Sequence, residues 1–390
     1  MTAKQQILIV GGGIMGVTAA LELRRRSHEV TLIDPGPLPH PEASSTDISK
    51  MIRMDYGSDE LYMDWMEEAF PRWHEWNELW GEELYHEDGF VIMTREEMRS
   101  GEFEYDSFRK LQQRGHQPER LDSQALAARF PAWNAALYVD GYYNARAGWA
   151  ESGRVLTRLI DAARAAGVRL REGVAMRELL LDDARVRGVV LSDGAALRAD
   201  AVIVAAGAWT PVLLPHLAEV MWVVGQPVMH FRPAEPALFA LPNFTGFAAD
   251  ISNTGWYGFP LHQGVVKIAN HGEGQRLDPR GTKEVQAGEE ARFREFLRET
   301  FPALADAPCV QQRLCLYCDT WDGHFWVDWD REIPGLLVAT GGSGHAFKFA
   351  PVLGELIADV LEGRENRFAA RFAWRERGEL GKEDARFWEG

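Results

Sequence analysis

The sequence has only three cysteines in 390 residues: Cys309, Cys315 and Cys318. Three cannot make a disulfide framework, and so low a count suits a reducing compartment. Long apolar runs are also missing. The longest uncharged one, Ala201 to Trp209, falls far short of the ~18–20 residues a membrane helix needs. Ile7 to Val10 runs straight into three glycines, which excludes a signal peptide. Positive charge is scarce: 42 Lys plus Arg against 58 Asp plus Glu gives a net charge of −16. That argues against general nucleic-acid binding and against attachment to an anionic membrane. No internal repeat or low-complexity tract is visible. What remains is 46% hydrophobic and 26% charged, the balance of a folded globular chain. Its length allows two to three domains of ~150 residues, and the expected location is the cytoplasm.

The pattern changes along the chain. Ile7 to Val10 reads as a strand buried on both faces, Ile14 to Arg26 as a helix with a basic end, and Val30 to Ile33 as a second strand. This is a βαβ unit. A second α/β stretch runs from about 151 to 210, with a helix over Arg154–Ala166 and a hairpin signal at Asp193-Gly194. Residues 83–148 and 220–320 are rich in aromatics and alternate like strands. Gly255–Pro260 and Gly264–His271 read as two arms of a hairpin. The α/β style returns with a strand over Gly335–Thr340, a turn at Gly341-Gly342-Ser343-Gly344, and a helix from Pro351. The expected architecture is α/β plus α+β. One Rossmann-like domain (1–82, 149–220 and 321–390) is interwoven with a mainly antiparallel domain (83–148 and 221–320).

Gly11, Gly13 and Gly16 form a GxGxxG turn between strand and helix. The first glycine permits the turn, the second lets backbone approach a pyrophosphate, and the third lets the helix pack on the strand. The helix N-terminus adds amide donors and partial positive charge. Asp34 ends the second strand, where a carboxylate meets ribose hydroxyls. Further βαβ units do not follow. A long polar segment, Pro35 to Ser49, comes next, and a second glycine-rich turn lies over 300 residues later. That layout fits FAD better than NAD.

Other residues can carry chemistry. On a strand, Cys315 and Tyr317 share a face and Cys318 points away, so a disulfide between the cysteines is disfavoured. Cys315 is then either apolar filler or a covalent anchor. Lys267 and His271 share a strand face, which is either solvated or turned to the cofactor. Lys348 precedes a helix N-terminus and sits between Phe347 and Phe349, a poor place for a cation unless it pairs with an anion. Lys50 and Arg53, three apart, share a face if the segment is helical.

Taken together, these segments resemble the monomeric sarcosine oxidase and N-methyltryptophan oxidase family, within the D-amino-acid-oxidase-like flavoproteins. The most specific stretch runs from Cys315-Leu-Tyr-Cys-Asp-Thr-Trp-Asp-Gly-His324-Phe325 to Gly341-Gly-Ser-Gly-His345-Ala-Phe-Lys348-Phe349. Ser49-Lys-Met-Ile-Arg53 with Tyr56-Gly57, Ala206-Gly207-Ala208-Trp209, and Tyr257-Gly258-Phe259-Pro260 also match. The resemblance implies that Cys315 joins the flavin as a thioether and that Lys267 promotes the reaction with oxygen. Arg53 and Lys348 would bind a substrate carboxylate, and Tyr257, His271 and Tyr317 would line the pocket. FAD would lie against Gly11, Gly13, Ile14, Met15, Gly16 and Asp34. Further cofactor contacts would come from Ser44, Ser45, Lys50, Ala175, Ala206, Gly207, Trp209, Gly342, Gly344, His345, Phe347 and Lys348. No metal is implied.

The sequence also departs from that pattern. The family arginine is Lys50 here, which keeps the charge but loses the planar fork. Ser45 and Thr46 replace histidines, which excludes a histidyl flavin link there. Ala346 replaces a glycine, and Gly342 replaces an aromatic residue. The expected reaction is oxidation of a secondary or N-methyl amine bearing a carboxylate, with O2 as acceptor, in a monomer. The alternatives are a flavin dehydrogenase with another acceptor and, through Cys315 and Cys318, a thiol–disulfide flavoreductase.

Overall fold

The computed structural model describes residues 3–381 and 383–388. Residues 1–2, 382 and 389–390, at the edges of the first expected domain or in its tail, lie outside the described residues. Gln6–Val10 forms the expected first strand. It lies inside a six-stranded sheet, flanked by Glu29–Ile33 and Ala201–Val204. Arg169–Arg171 extends one side, and Leu336–Gly341 then Phe325–Trp329 extend the other. All pairings are parallel except the last, where Phe325–Trp329 runs antiparallel at the edge. Helices Ile14–Arg25 and Ala350–Glu362 pack on this sheet and on each other. Their contact needs Gly354, because a Cβ there would lie 2.3 Å from the Thr18 carbonyl oxygen.

A nine-stranded sheet forms the second layer system. Its central strand, Met221–Phe231, pairs along its whole length with Cys309–Thr320, and also with Val266–Asn270 and Gln275–Arg276. The sheet continues through Trp256–Gly258, Gly246–Ala249, Phe90–Thr94, Asp140–Asn144 and Glu119–Arg120. Pairing is antiparallel except between Gly246–Ala249 and Phe90–Thr94. The expected hairpins at 186–198 and 256–270 are both present. A Rossmann-like parallel layer is thus interwoven with a mainly antiparallel sheet.

Two local expectations change. Lys50–Ile52 is a strand, not a helix, paired with Gly148–Ala150. The helix near 351 starts at Ala350, so Pro351 occupies its second position, and Phe347–Phe349 forms a separate 3-10 turn. That turn is pinned by helix Glu60–Trp80. Trp73 Nε1 donates to the Lys348 carbonyl at 2.8 Å, and Trp65 stacks on Phe349 at 4.4 Å. No described helix is long and apolar enough to cross a membrane.

Candidate active site

The glycine turn has the form the sequence requires. Gly11 has φ +108°, and a Cβ there would lie 2.5 Å from the Ala205 oxygen. A Cβ on Gly16 would lie 1.9 Å from the Gly11 oxygen. The helix starting at Ile14 has no acidic residue in its first turn, so its N-terminus remains suited to an anion. Ile14 and Met15 are buried there. Asp34 is also buried, and its two oxygens accept the amides of Gly12 (2.8 Å) and Gly36 (2.9 Å). It therefore braces the turn as well as closing the strand.

The polar segment after Asp34 folds over the helix start. Ser45 Oγ accepts from the Ile14 amide at 3.0 Å, and Ser44 Oγ donates to the Leu316 carbonyl. Two buried hydroxyls of this segment, Thr46 Oγ1 and Ser49 Oγ, have no hydrogen-bond partner among the described residues. Such groups call for a polar ligand. A glycine cradle, an acid-free helix start and spare hydroxyls together fit a dinucleotide cofactor. Ala206 borders the same turn, its Cα 3.0 Å from a Cβ built on Gly11, and Gly207 has φ +52°. Trp209 is 37% exposed, with Lys283 over its ring. Ala175 is held at the entry to the hairpin sheet, where its carbonyl accepts from Ser192, and its neighbour Val174 donates to the Asp34 carbonyl.

A cavity opens between the two sheet systems. Its lining includes Lys50, Arg53, Tyr257, His271, Tyr317, Gly344, His345, Phe347 and Lys348, all anticipated from sequence. Gly344 (φ +95°) must lack a side chain, since a Cβ would lie 2.1 Å from the Tyr317 ring. At Gly342 a Cβ would lie 2.4 Å from the Phe325 ring, so Phe325 takes the space that an aromatic side chain at 342 would need. Lys348 is buried, and its Nζ donates to Tyr56 Oη at 2.9 Å. Burial and the nearby Arg53 cation lower its ammonium to about 7, against the pull of Glu383 and Asp55. Arg53 donates to the Asp55 carbonyl and lies 5.5 Å from the Tyr56 and Phe103 ring centres. Tyr56 Oη also bonds His345 Nδ1 at 2.9 Å, which ties the lysine to the glycine-rich turn. Burial raises Tyr257 to about 12 and Tyr317 well above its ordinary value, so both act as neutral phenols.

Cys315 is 2% exposed and belongs to a small cluster with Tyr317, Tyr257, Val228 and Ala269. Cys318 packs on the opposite side with the parallel sheet's core, and both thiols are free. Alternation thus separates them as expected. Lys50 Nζ lies 3.4 Å from Cys315 Sγ. Burial would lower the Lys50 ammonium, but Cys315 and Asp47 outweigh it and raise it.

Lys267 does not lie on a solvated face. It is 2% exposed, and it donates to Asp47 Oδ2 and the Ser49 carbonyl, both at 2.6 Å. Burial would raise Asp47, but Lys267, Lys50 and Arg313 hold it below the usual carboxylate range. Sequence reading missed Asp47, one acid within an irregular polar segment. It also missed Glu383, which lines the cavity from the C-terminal segment, and Tyr56 as the partner of Lys348. Only the violated local rule at Lys348 hinted that a partner was needed.

The match to known proteins agrees with this geometry. Residues 6–360 match the family model DAO, FAD-dependent oxidoreductase. The chain belongs to this family and is an FAD-dependent oxidoreductase. It is similar to the N-methyl-L-tryptophan oxidase of Salmonella dublin, with 29% identity over 375 residues, 94% of this chain and 96% of the relative. Among solved structures it matches fructosamine oxidase (Amadoriase II) of Aspergillus fumigatus in complex with FSA. The TM-score is 0.85 at 24% identity, covering 100% of this chain and 94% of that one. Fructosyl amine: oxygen oxidoreductase (Amadoriase I) of the same organism gives 0.82 at 24%, covering 96% and 90%. These last two establish the fold.

Proposed function

We propose that this chain oxidises a secondary or N-methyl amine bearing a carboxylate, with O2 as acceptor. The products are an imine, hydrolysed to aldehyde plus amine, and hydrogen peroxide. One observation carries the reading: Arg53 and Lys348, two buried basic side chains, face one cavity with Tyr257, His271 and Tyr317, the last on the same strand as Cys315. The activity named for the Salmonella relatives supports it.

Gly11, Gly13 and Gly16 would hold the cofactor's pyrophosphate, with Asp34 bracing the turn, and Ser44, Ser45, Lys50 and Gly344 to Phe347 would hold its flavin end. When bound, the flavin supplies the two-electron chemistry. The chain's own work is positional and electrostatic. Arg53 and Lys348 anchor the carboxylate, which fixes the amine's reactive carbon and removes the entropy cost of encounter. Tyr257 and Tyr317, neutral phenols, shape the pocket without adding charge. Lys267 keeps a positive charge near the reacting centre for the step in which oxygen gains electrons. Cys315, with Lys50 Nζ 3.4 Å from its sulfur, would be the covalent anchor.

The test is a panel with peroxide detection: N-methylglycine, N-methyl-L-tryptophan, a cyclic imino acid and a fructosyl amino acid. Peroxide is expected with at least one. Amine-dependent bleaching of the flavin without peroxide would overturn the oxidase assignment. For the covalent link, acid precipitation of the native protein is expected to carry the yellow colour into the pellet. Cys315→Ser is expected to leave it in the supernatant. Colour in the supernatant for both proteins would remove the thioether.

A further inference from the structure

Among the described residues lining the cavity, Glu383 is the one whose charge opposes the clamp. Its side chain is 7% exposed. Oε2 lies 3.1 Å from His271 Nε2, and Oε1 lies 3.5 Å from Arg53 Nη2. Oε1 accepts no hydrogen bond among the described residues. A buried carboxylate oxygen left in this way, on the wall of a cavity, calls for a donor from a ligand.

The segment that carries Glu383 is fastened on both sides. Arg386 pairs with Asp319 at 2.7 Å, both side chains being under 5% exposed, and donates to the Gly272 carbonyl at 3.0 Å. Phe387 N donates to the His271 carbonyl at 3.0 Å, and Gly381 N to the Trp321 carbonyl at 2.7 Å. Ala385 is fully buried. Glu383 is therefore a fixed wall of the cavity. Burial alone would raise its pKa, but His345, His271 and Lys348 outweigh this and hold it well below the usual carboxylate range. It also borders a second, smaller cavity lined by Tyr56, Tyr62, Asp59 and Asp322, whose two acids are paired with Arg371 and Arg375.

We propose that Glu383 is a specificity-determining residue that receives the substrate's ammonium group, so that the cavity selects compounds carrying both an ammonium and a carboxylate. This rests on the amine-oxidase reading above. Arg53 and Lys348 take the carboxylate; Glu383 Oε1 takes an N–H. An acid without the amine would bring a second negative charge beside Glu383 with nothing to offset it. A zwitterion complements both charges of the site.

Glu383→Gln removes the charge and keeps the shape. Two probes are compared on flavin-loaded protein: N-methyl-L-tryptophan, by Kd in the anaerobic reductive half-reaction, and 3-(indol-3-yl)propanoate, by perturbation of the flavin spectrum. The second keeps the ring and the acid and lacks the amine. The variant is expected to bind the first about tenfold more weakly and the second about tenfold more tightly. Glu383→Asp, which keeps the charge, is expected to retain the native preference. Shifts of equal sign for both probes, as a simple plug over Arg53 would give, or no shift, would overturn the proposal and leave the oxidase reading intact. A native enzyme that binds neither probe and oxidises no carboxylate-bearing amine would overturn the reading and the proposal together.

Discussion

Replacing Lys267 with methionine is expected to slow the oxygen-dependent half of turnover by about 10²–10³-fold and leave anaerobic reduction by the amine nearly unchanged. The size follows from removing one positioned positive group from a site closed to water. Lys267 spends two of its three N–H donors on Asp47 and Ser49. Burial lowers its ammonium to about 8; Asp47 pulls upward and Lys50 pushes downward. The cation is thus present below pH 8 and lost above it. The native oxygen reaction should decline as pH rises through about 8, and the variant should lack that decline. Rapid-mixing of reduced enzyme with oxygenated buffer measures both. An unchanged rate, or a decline that persists in the variant, would remove Lys267 from the oxygen step.

Lys348→Met is expected to raise KM for a carboxylate-bearing amine by about 10–100-fold and to alter KM for a neutral amine analogue little. Methionine keeps most of the buried volume under Tyr56, so the loss is one of charge. Lys348 titrates near 7 in the free enzyme, and its cation disappears as pH rises through that value. Native KM for the acid should therefore climb above pH 7, while the variant's stays flat over the same range. A bound carboxylate stabilises the ammonium, so the climb should be shifted upward in the complex. Equal losses for the acid and the neutral amine would count against the clamp.

Much of this site could be read from the chain because its rules are local. Gly16 must be glycine because of the Gly11 oxygen five residues earlier, Gly11 has the positive φ of a tight turn, and strand alternation alone separates Cys315 from Cys318. Lys348 announced itself by breaking a local rule. From sequence, whether Lys50 and Arg53 share a helical face stays conditional on the segment being helical, because a three-residue segment has no period of its own. It pairs with Gly148–Ala150, and that contact makes it a strand. The burial of Lys267 depends on Asp47, 220 residues away in sequence. Glu383 depends on Arg386 reaching Asp319, on a strand of the nine-stranded sheet. No periodicity in the C-terminal segment marks it, so only the assembled fold shows it.

The strand order of the parallel sheet has a consequence for biosynthesis. Gln6–Val10 leaves the ribosome first, but one of its two lateral neighbours, Ala201–Val204, emerges only after half the chain. Until then, one side of an apolar strand stands open, a template for mispairing. The nucleotide half is not closed until Leu336–Gly341 joins it. The parallel sheet is thus completed only late in the order of the chain.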